Sequence, residues 1–435
     1  MSRYLDFLAH KSIRAEEHGP TVNPDDMHPM LFEWQRRIVA WALHVGRAAI
    51  WADTGLGKTL MQVEWARQIA GDTRIALIVA PLAVCHQTVR EAAKISVRAE
   101  YVRDQSDVNG PGVWVTSYEM IENFNADDLD AVVLDEASIL KNSSGKMRDA
   151  MIAHFQSIPY RLACTATPAP NDPEELTNQA EFLGQMTRTL MLAAYFVHDQ
   201  DGWRLKGHAR KPMIRWMSTW AVAIRKPSDM GGDDTGYDLP GVNIIGHTVE
   251  ADVHEEGALF AVDLGGVQGR AQVRKKTLDA RCKAAVDLIQ AEADEPWLIW
   301  TGLNDEADLI AKLIPDAVNV KGSMSPDEKA NALLDFADGK IQYLITKPSI
   351  ASQGLNYQHC ARMVFVGLSD SYEQYYQAIR RCYRYGQRRV VDVHIVTSRL
   401  EGQIVENVRR KEKQSATLTE ELVAFMKESK TEEAA

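Results

Sequence analysis

The stretch ADTGLGKT, from Ala52 to Thr59, has the residue types and spacing of a phosphate cradle. Gly55 and Gly57 remove two Cβ atoms, so the backbone can curl until several N–H groups, that of Thr54 among them, face one anion. The following LMQVEWARQIA is a predicted helix whose N-terminus adds favourable charge. Lys58 would then reach the β/γ-phosphates of a bound nucleotide, and the Thr59 hydroxyl would hold Mg2+. A second element, AVVLDEAS, sets Asp135 and Glu136 directly after an apolar run. A carboxylate at such a strand end can help hold the magnesium ion bound to Thr59, and a neighbouring glutamate can orient and deprotonate water. The pair of elements in this order points to ATP hydrolysis. Blander readings stay open on the residues alone: a glycine turn with a solvated lysine, and Glu136 as a cap for the helix running toward MRDAMIAHF.

These residues need a scaffold that delivers strand ends to one edge. From Ile38 onward the sequence alternates apolar runs with amphipathic stretches: RAAIWA, RIALIVAP, GVWVTSYEMI, LDAVVLDEAS and YRLACTATP, with candidate helices between. Near-continuous apolar strands separated by helices are what a parallel sheet covered on both faces requires. Polar clusters fall at the strand ends, where open α/β sheets bind ligands. The rhythm breaks near Gln185, in a segment mixing aromatic and basic residues that gives way to Gly, Asp and Pro. A second α/β rhythm begins near Leu278. The fold class expected is therefore α/β with two tandem lobes and a small insertion between them. Residues 1–185 form a nucleotide-binding lobe, 186–275 an accessory insertion and linker, 276–415 a second lobe, and 416–435 a helix fraying into a tail.

Bulk composition narrows the setting. At 435 residues the chain can bury a sizeable core in two or three domains. No apolar run approaches the roughly 18 residues of a membrane span, and the N-terminal stretch has no secretory apolar region. The expectation is an intracellular protein with no membrane partner. Five cysteines without a CxxC pair suggest neither a disulfide framework nor a cysteine-rich zinc site. A net charge of −11 argues against a broad basic coating but leaves room for a local basic path, because distribution rather than the sum sets a binding face.

The ordered set FEWQRRIVAW, ADTGLGKT, ALIVAP, VTSYEMI, VVLDEAS, TATP, WLIWTG, KGSMSPDEKANALLDF, YLITKPSIASQGLN and QAIRRCYRYGQ closely resembles the superfamily 2 helicases and translocases, in particular the Snf2-like group. It spans the chain from about Leu31 to Val396. The resemblance implies two RecA-like P-loop NTPase lobes that clamp ATP and step along nucleic acid, double-stranded DNA above all. It identifies Gln35 as an adenine-reading glutamine, with Phe32 or Trp34 packing on the base. The bare sequence also allows a solvated Gln35 on an amphipathic helix. Arg381 and Arg384 are spaced i,i+3, so on a helix they could present two guanidinium groups to one site; an arginine-rich face meeting only solvent or nucleic acid is the other reading, and the resemblance assigns the pair to the γ-phosphate. Thr165, Thr167 and Gln377 become coupling residues between hydrolysis site and track. Ser352, Gly354 and Asn356 fall in the second-lobe element that reads ATP and the nucleic-acid backbone.

Three departures from the Snf2-like pattern are visible. Arg380 stands where a glycine normally precedes the arginine pair, KPSIAS replaces an arginine and paired glycines, and DEAS replaces DEGH or DEAH. Asp135 and Glu136 survive, so the change at Ser138 bears on communication rather than catalysis. In the insertion, Trp203, Arg210 and Arg215 are nucleic-acid candidates because aromatic residues interleave with basic ones; the opposing reading is tryptophans packing a helical insertion while the charges solvate it. The expected activity is an ATP-dependent motor that translocates on or remodels duplex DNA. Alternatives are a strand-separating DNA or RNA helicase, a protein-directed P-loop ATPase and a scaffold with a dead ATPase core. Compact chains of this kind resemble bacterial and phage proteins, which implies cytoplasmic location, a monomer as basic unit and a protein partner for targeting.

Overall fold

A computed structural model describes residues 15–141, 145–200, 202–250, 275–351, 356–368 and 371–398, together with a discontinuous set between 406 and 425. The chain divides into two compact units, one comprising residues up to Asp234 plus the segment from Gln414 onward, the other running from Thr235 to Lys413.

The first unit is built on β1 (Arg47–Ala52), β2 (Ile75–Ala80), β3 (Ala99–Tyr101), β4 (Gly112–Ser117), β5 (Ala131–Asp135) and β6 (Tyr160–Thr165). After the antiparallel hairpin of β7 (Phe196–Asp199) and β8 (Gly202–Leu205), β9 (Ala221–Ile224) returns to the sheet. The order is β3-β4-β2-β5-β6-β1-β9, and every pairing in it is parallel. The apolar runs become strands because helices cover both faces: all five residues of β5 are buried. Its carboxyl edge brings β5, β6 and β1 side by side, with Trp51 in register with Thr165 and Asp135 with Cys164.

The segment from 186 does not stand apart as an accessory insertion. Its described part up to Asp234 clusters with the first unit, because β9 pairs with β1 from Ala49↔Ala221 to Ala52↔Ile224. Trp216 and Trp220 are core residues: Trp220 packs edge-on against Trp51 at 5.7 Å between ring centroids and against Trp216 at 5.4 Å. Burying each large ring contributes about 2–3 kcal/mol, so the aromatic content of this stretch is explained by packing. Residues 251–274 of the expected linker lie outside the described residues. The described residues 419–425 are helical and return to the first unit, with Leu422 fully buried.

The second unit holds β10 (Val242–Val249), β11 (Trp297–Thr301), β12 (Val318–Asn319), β13 (Tyr343–Thr346), β14 (Arg362–Val366) and β15 (Val391–Ser398) in the order β10-β15-β14-β11-β13-β12, again all parallel. Alternate residues of β11 enter opposite cores, Leu298 and Trp300 on one face, Trp297 and Ile299 on the other. Among the described residues no helix is long and apolar enough to cross a membrane.

Candidate active site

The carboxyl ends of β1, β5 and β6 carry the chemistry of the first unit. After Ala52 the chain turns through Asp53–Gly57 into the helix Lys58–Ala70, with Gly55 at φ 87° and Gly57 at φ 73°. Both lie in the left-handed region that favours glycine. At Gly57 there is a second constraint, since a Cβ would stand 2.4 Å from Gln35 Nε2.

Gln35, on the helix Glu33–Val45, is buried and committed at both ends of its amide: Oε1 accepts from the Phe32 N–H at 2.8 Å and Nε2 donates to the Leu56 carbonyl at 2.9 Å. It is not a solvated helix residue. It pins the phosphate turn, while one N–H and one lone pair remain for a ligand. Of its two aromatic neighbours Trp34 is buried and Phe32 is 56% exposed, so of the two rings Phe32 is the accessible one.

Lys58 Nζ donates to the Ala52 carbonyl at 3.0 Å, which holds the ammonium at the mouth of the turn. Thr54 is fastened through its N–H to Asp53 Oδ1 at 2.6 Å. Thr59 occupies the next helical position beside Lys58.

Asp135 ends β5. Its Oδ1 accepts from Gln62 Nε2 at 2.7 Å and from the Glu136 N–H at 3.0 Å, and the Tyr118 hydroxyl donates to its carbonyl at 2.6 Å. Burial, reinforced by the charge of Glu136, pushes its carboxyl up to about 6, against the opposing hydrogen bond from Gln62 and the charge of Lys58. Glu136 has φ 54°, a strained conformation for a non-glycine residue that costs on the order of 1–3 kcal/mol. Its Oε2 is buried without a hydrogen-bond partner. An unpaired carboxylate oxygen on a strained backbone, beside a second carboxylate, is suited to accept a proton from a bound water.

Thr165 and Thr167 are buried next door. The Thr167 N–H donates to Thr165 Oγ1 at 3.1 Å, and Thr167 Oγ1 has no partner. The nucleotide residues read from the sequence in the first unit, Gln35, Thr54, Gly55, Gly57, Lys58, Thr59, Asp135 and Glu136, thus occupy one edge of one sheet. Gln62, Asn178 and Gln179, which no quoted motif contains, and Tyr118, which lies inside VTSYEMI, hydrogen-bond to the same segments. Gln62 was detectable in principle, because it lies four residues after Lys58 and so shares its helix face.

In the second unit the helix Tyr372–Ile379 carries Gln377, whose carbonyl accepts from Arg381 Nε at 3.2 Å. Gln377 Nε2 donates to Glu373 Oε1 at 3.4 Å. Arg384 Nη1 donates to Asn356 Oδ1, and Arg384 Nε is buried without a partner. Burial, with Arg381 and Arg380 nearby, lowers Arg384 to about 10, so it stays cationic at neutral pH. Arg380, the departure from the glycine pattern, lies over the Tyr376 and Tyr383 rings at 5.1 and 5.2 Å. Ser352 and Gly354 lie outside the described residues.

The insertion residues sit elsewhere on the first unit. Arg210 Nε pairs with Glu421 at 2.6 Å, and the Arg215 guanidinium lies 5.6 Å from the Phe425 ring centroid. Trp203 is half-buried on the hairpin, edge-on to His198 at 4.9 Å. The two arginines hold the returning C-terminal segment. Among the described residues no group of three or more His, Cys, Asp or Glu side chains could hold a metal.

Comparison with known proteins places this geometry. Residues 34–188 match the SNF2-related domain, and residues 280–386 match the helicase conserved C-terminal domain. Protein p41 of Acyrthosiphon pisum secondary endosymbiont phage 1 is 21% identical over 408 residues, covering 80% of this chain and 87% of p41. Among solved structures, the Sulfolobus solfataricus SWI2/SNF2 ATPase core in complex with dsDNA aligns with 95% of this chain and 98% of its own, at 17% identity and a TM-score of 0.45. S. cerevisiae Dbp5 bound to RNA and ADP BeF3 aligns with 89% and 93% at 13% identity, with a TM-score of 0.55. That likeness is one of fold.

Proposed function

The chain is a Snf2-like superfamily 2 ATPase core, an SNF2-related domain followed by a helicase C-terminal domain, and from that premise we propose that it couples ATP hydrolysis to movement on or remodelling of duplex DNA. The observation that carries the hydrolytic half is the meeting of Lys58, Asp135 and Glu136 at the carboxyl ends of β1 and β5. The DNA half is supported by the SNF2-related domain.

Mg2+ fits the donors present. It binds through one or two carboxylates plus substrate phosphates rather than in an all-protein cage, which agrees with hard oxygen donors at Thr59 and Asp135. When bound it would neutralise charge building on the transferring phosphoryl group. The chain's residues do the rest. Lys58 exchanges its Ala52 contact for the β/γ-phosphates, and the N–H groups of the turn bind the same oxygens. Glu136 orients a water with Oε2 and takes one of its protons as the water oxygen bonds to the γ-phosphorus and the bond to the ADP oxygen breaks. Arg381 and Arg384 we assign to the charge of that phosphoryl group, for which planar guanidinium donors are suited.

Contacts to DNA in such a motor go mainly to phosphates, so its binding should weaken with salt and show little sequence preference. We take a single chain as the working unit, in the cytoplasm of a bacterium or phage-infected host, with a protein partner for targeting; the phage origin of p41 supports the setting. ATP turnover measured at fixed salt with duplex DNA, single-stranded DNA, RNA and no nucleic acid tests the reading. Stimulation by duplex DNA is expected. Stimulation by RNA alone overturns the substrate, and none with any nucleic acid favours a protein-directed ATPase.

A further inference from the structure

We propose that Gln179 is a positioning residue for ATP hydrolysis, tying the strand that feeds the phosphate turn to the Thr165–Pro168 turn through its side-chain amide. The inference rests on the ATPase reading. Gln179 lies on the helix Leu176–Phe182 and is 1% exposed. Its Oε1 accepts from Trp51 Nε1 at 2.9 Å, and its Nε2 donates to the Pro168 carbonyl at 2.8 Å. Next to it, Asn178 Nδ2 donates to the Leu140 carbonyl at 3.1 Å, in the turn that follows Asp135 and Glu136. One short buried helix therefore touches the segments around all three strand ends that carry the site.

The two ends of the amide are not equivalent. Trp51 is a fixed anchor, buried, packed edge-on against Trp220, and one residue before the Ala52 carbonyl that receives Lys58. Pro168 is the opposite case, since it closes a turn whose Thr167 hydroxyl is buried without a partner. A planar peptide bond joins Pro168 to Thr167 and the ring fixes φ of Pro168, so ψ is the one soft dihedral between that bond and the Pro168 carbonyl. Trp51 also pairs with Thr165 across the β1–β6 ladder. The amide thus sets the height of the turn against the phosphate-turn strand, and any shift of the turn during hydrolysis must carry or break the bond to Pro168. A leucine would fill similar volume but leave the Trp51 N–H and the Pro168 carbonyl buried and unpaired.

The test uses the full chain with Gln179→Leu, Trp51→Phe and the double variant. Steady-state hydrolysis, thermal melting and amide hydrogen exchange over Thr165–Pro168 are read with and without a nonhydrolysable ATP analogue. Gln179→Leu should lower kcat about tenfold while KM for ATP stays within about twofold, with faster exchange confined to that turn. Trp51→Phe should cost less, and the double variant should be no worse than Gln179→Leu, because the two share one tie. Wild-type kcat and exchange in Gln179→Leu overturn the proposal. A loss of kcat matched by lost folded protein and uniformly faster exchange overturns it too, in favour of a purely structural glutamine. Failure of the ATPase reading shows separately, as absent wild-type turnover or as turnover that survives Lys58→Ala; faster exchange over the turn would then still show the structural tie, while the catalytic part of the proposal falls with that reading.

Discussion

Gln62 Nε2 donates to Asp135 Oδ1 at 2.7 Å, and this bond joins the helix of the phosphate turn to the strand of the acidic pair. Both side chains are buried. The bond fixes one carboxylate oxygen, and the Gln62 Oε1 that it leaves has no partner. Two carboxylates, a lysine and a neutral amide are therefore arranged before substrate arrives, so little reorganisation is needed when charge develops.

The strain of that arrangement is measurable as pH dependence. Burial first, and Glu136 second, raise the folded-state value of Asp135 from an ordinary 3.8 to about 6. The folded state then binds more protons than the unfolded state between those values, so this group lowers stability as pH rises through the window, and its penalty is complete above about 6. A rise of that size corresponds to about 3 kcal/mol. Asp135→Asn should melt higher than wild type at neutral pH without ligand, with the gap closing toward pH 4. A gap constant over that range would show that the carboxyl is not the source.

Lys58 and Glu136 should separate binding from chemistry. Lys58→Ala removes the charge proposed to meet the phosphates and should abolish turnover with melting retained, because Lys58 is a half-buried residue at a helix start rather than a core one. Glu136→Gln keeps the shape but cannot accept the water's proton, so ATP binding should persist while single-turnover hydrolysis falls by about 10²–10⁴. Joint loss of binding and hydrolysis in Glu136→Gln would assign Glu136 a folding role.

The placement of the proposed nucleotide residues was legible because each part is local in the chain: glycines at a turn, a lysine and threonine opening a helix, carboxylates at and after the end of an apolar strand. Gln179 and Asn178 were not, because their roles depend on contacts 128 and 38 positions away, which no periodicity encodes. The extent of the first unit beyond residue 185 is not legible in the sequence for a related reason. β9 is a four-residue strand whose pairing with β1 is set by tertiary packing around Trp51 and Trp220, and the aromatic-basic pattern before it reads equally as a nucleic-acid face or a core. Arg210 and Arg215 carry no local mark of partners some two hundred positions on.

A buried ion pair supports the second unit. Arg281 Nη1 pairs with Glu306 Oε1 at 2.7 Å with both side chains inaccessible, and Glu306 Oε2 accepts from the N–H groups of Gly302 and Leu303 at 2.8 and 2.9 Å. Glu306→Ala would strand a buried guanidinium and two backbone donors, and should destabilise the protein by about 3–5 kcal/mol. Amide exchange across β11 during denaturant unfolding reads this for the second unit; a change under about 1 kcal/mol would mean water reaches the pair.

Asn356, a candidate for the nucleic-acid path, receives Arg384 Nη1 at its Oδ1. Arg384 is lowered to about 10 and remains charged at neutral pH, so the bond orients a cation rather than setting its protonation. On the proposed assignment of Arg384 to the transferring phosphoryl group, Asn356→Ala should act through Arg384: turnover falls about tenfold, as expected when such a group loses its orientation. Arg384→Ala should lower it at least as much, and the double variant should add little because both changes remove one interaction. Duplex affinity at fixed salt should stay within about twofold in Asn356→Ala, since few phosphate contacts are lost. A large loss of DNA affinity with unaltered basal turnover would return Asn356 to the track and leave Arg384 positioned by other groups.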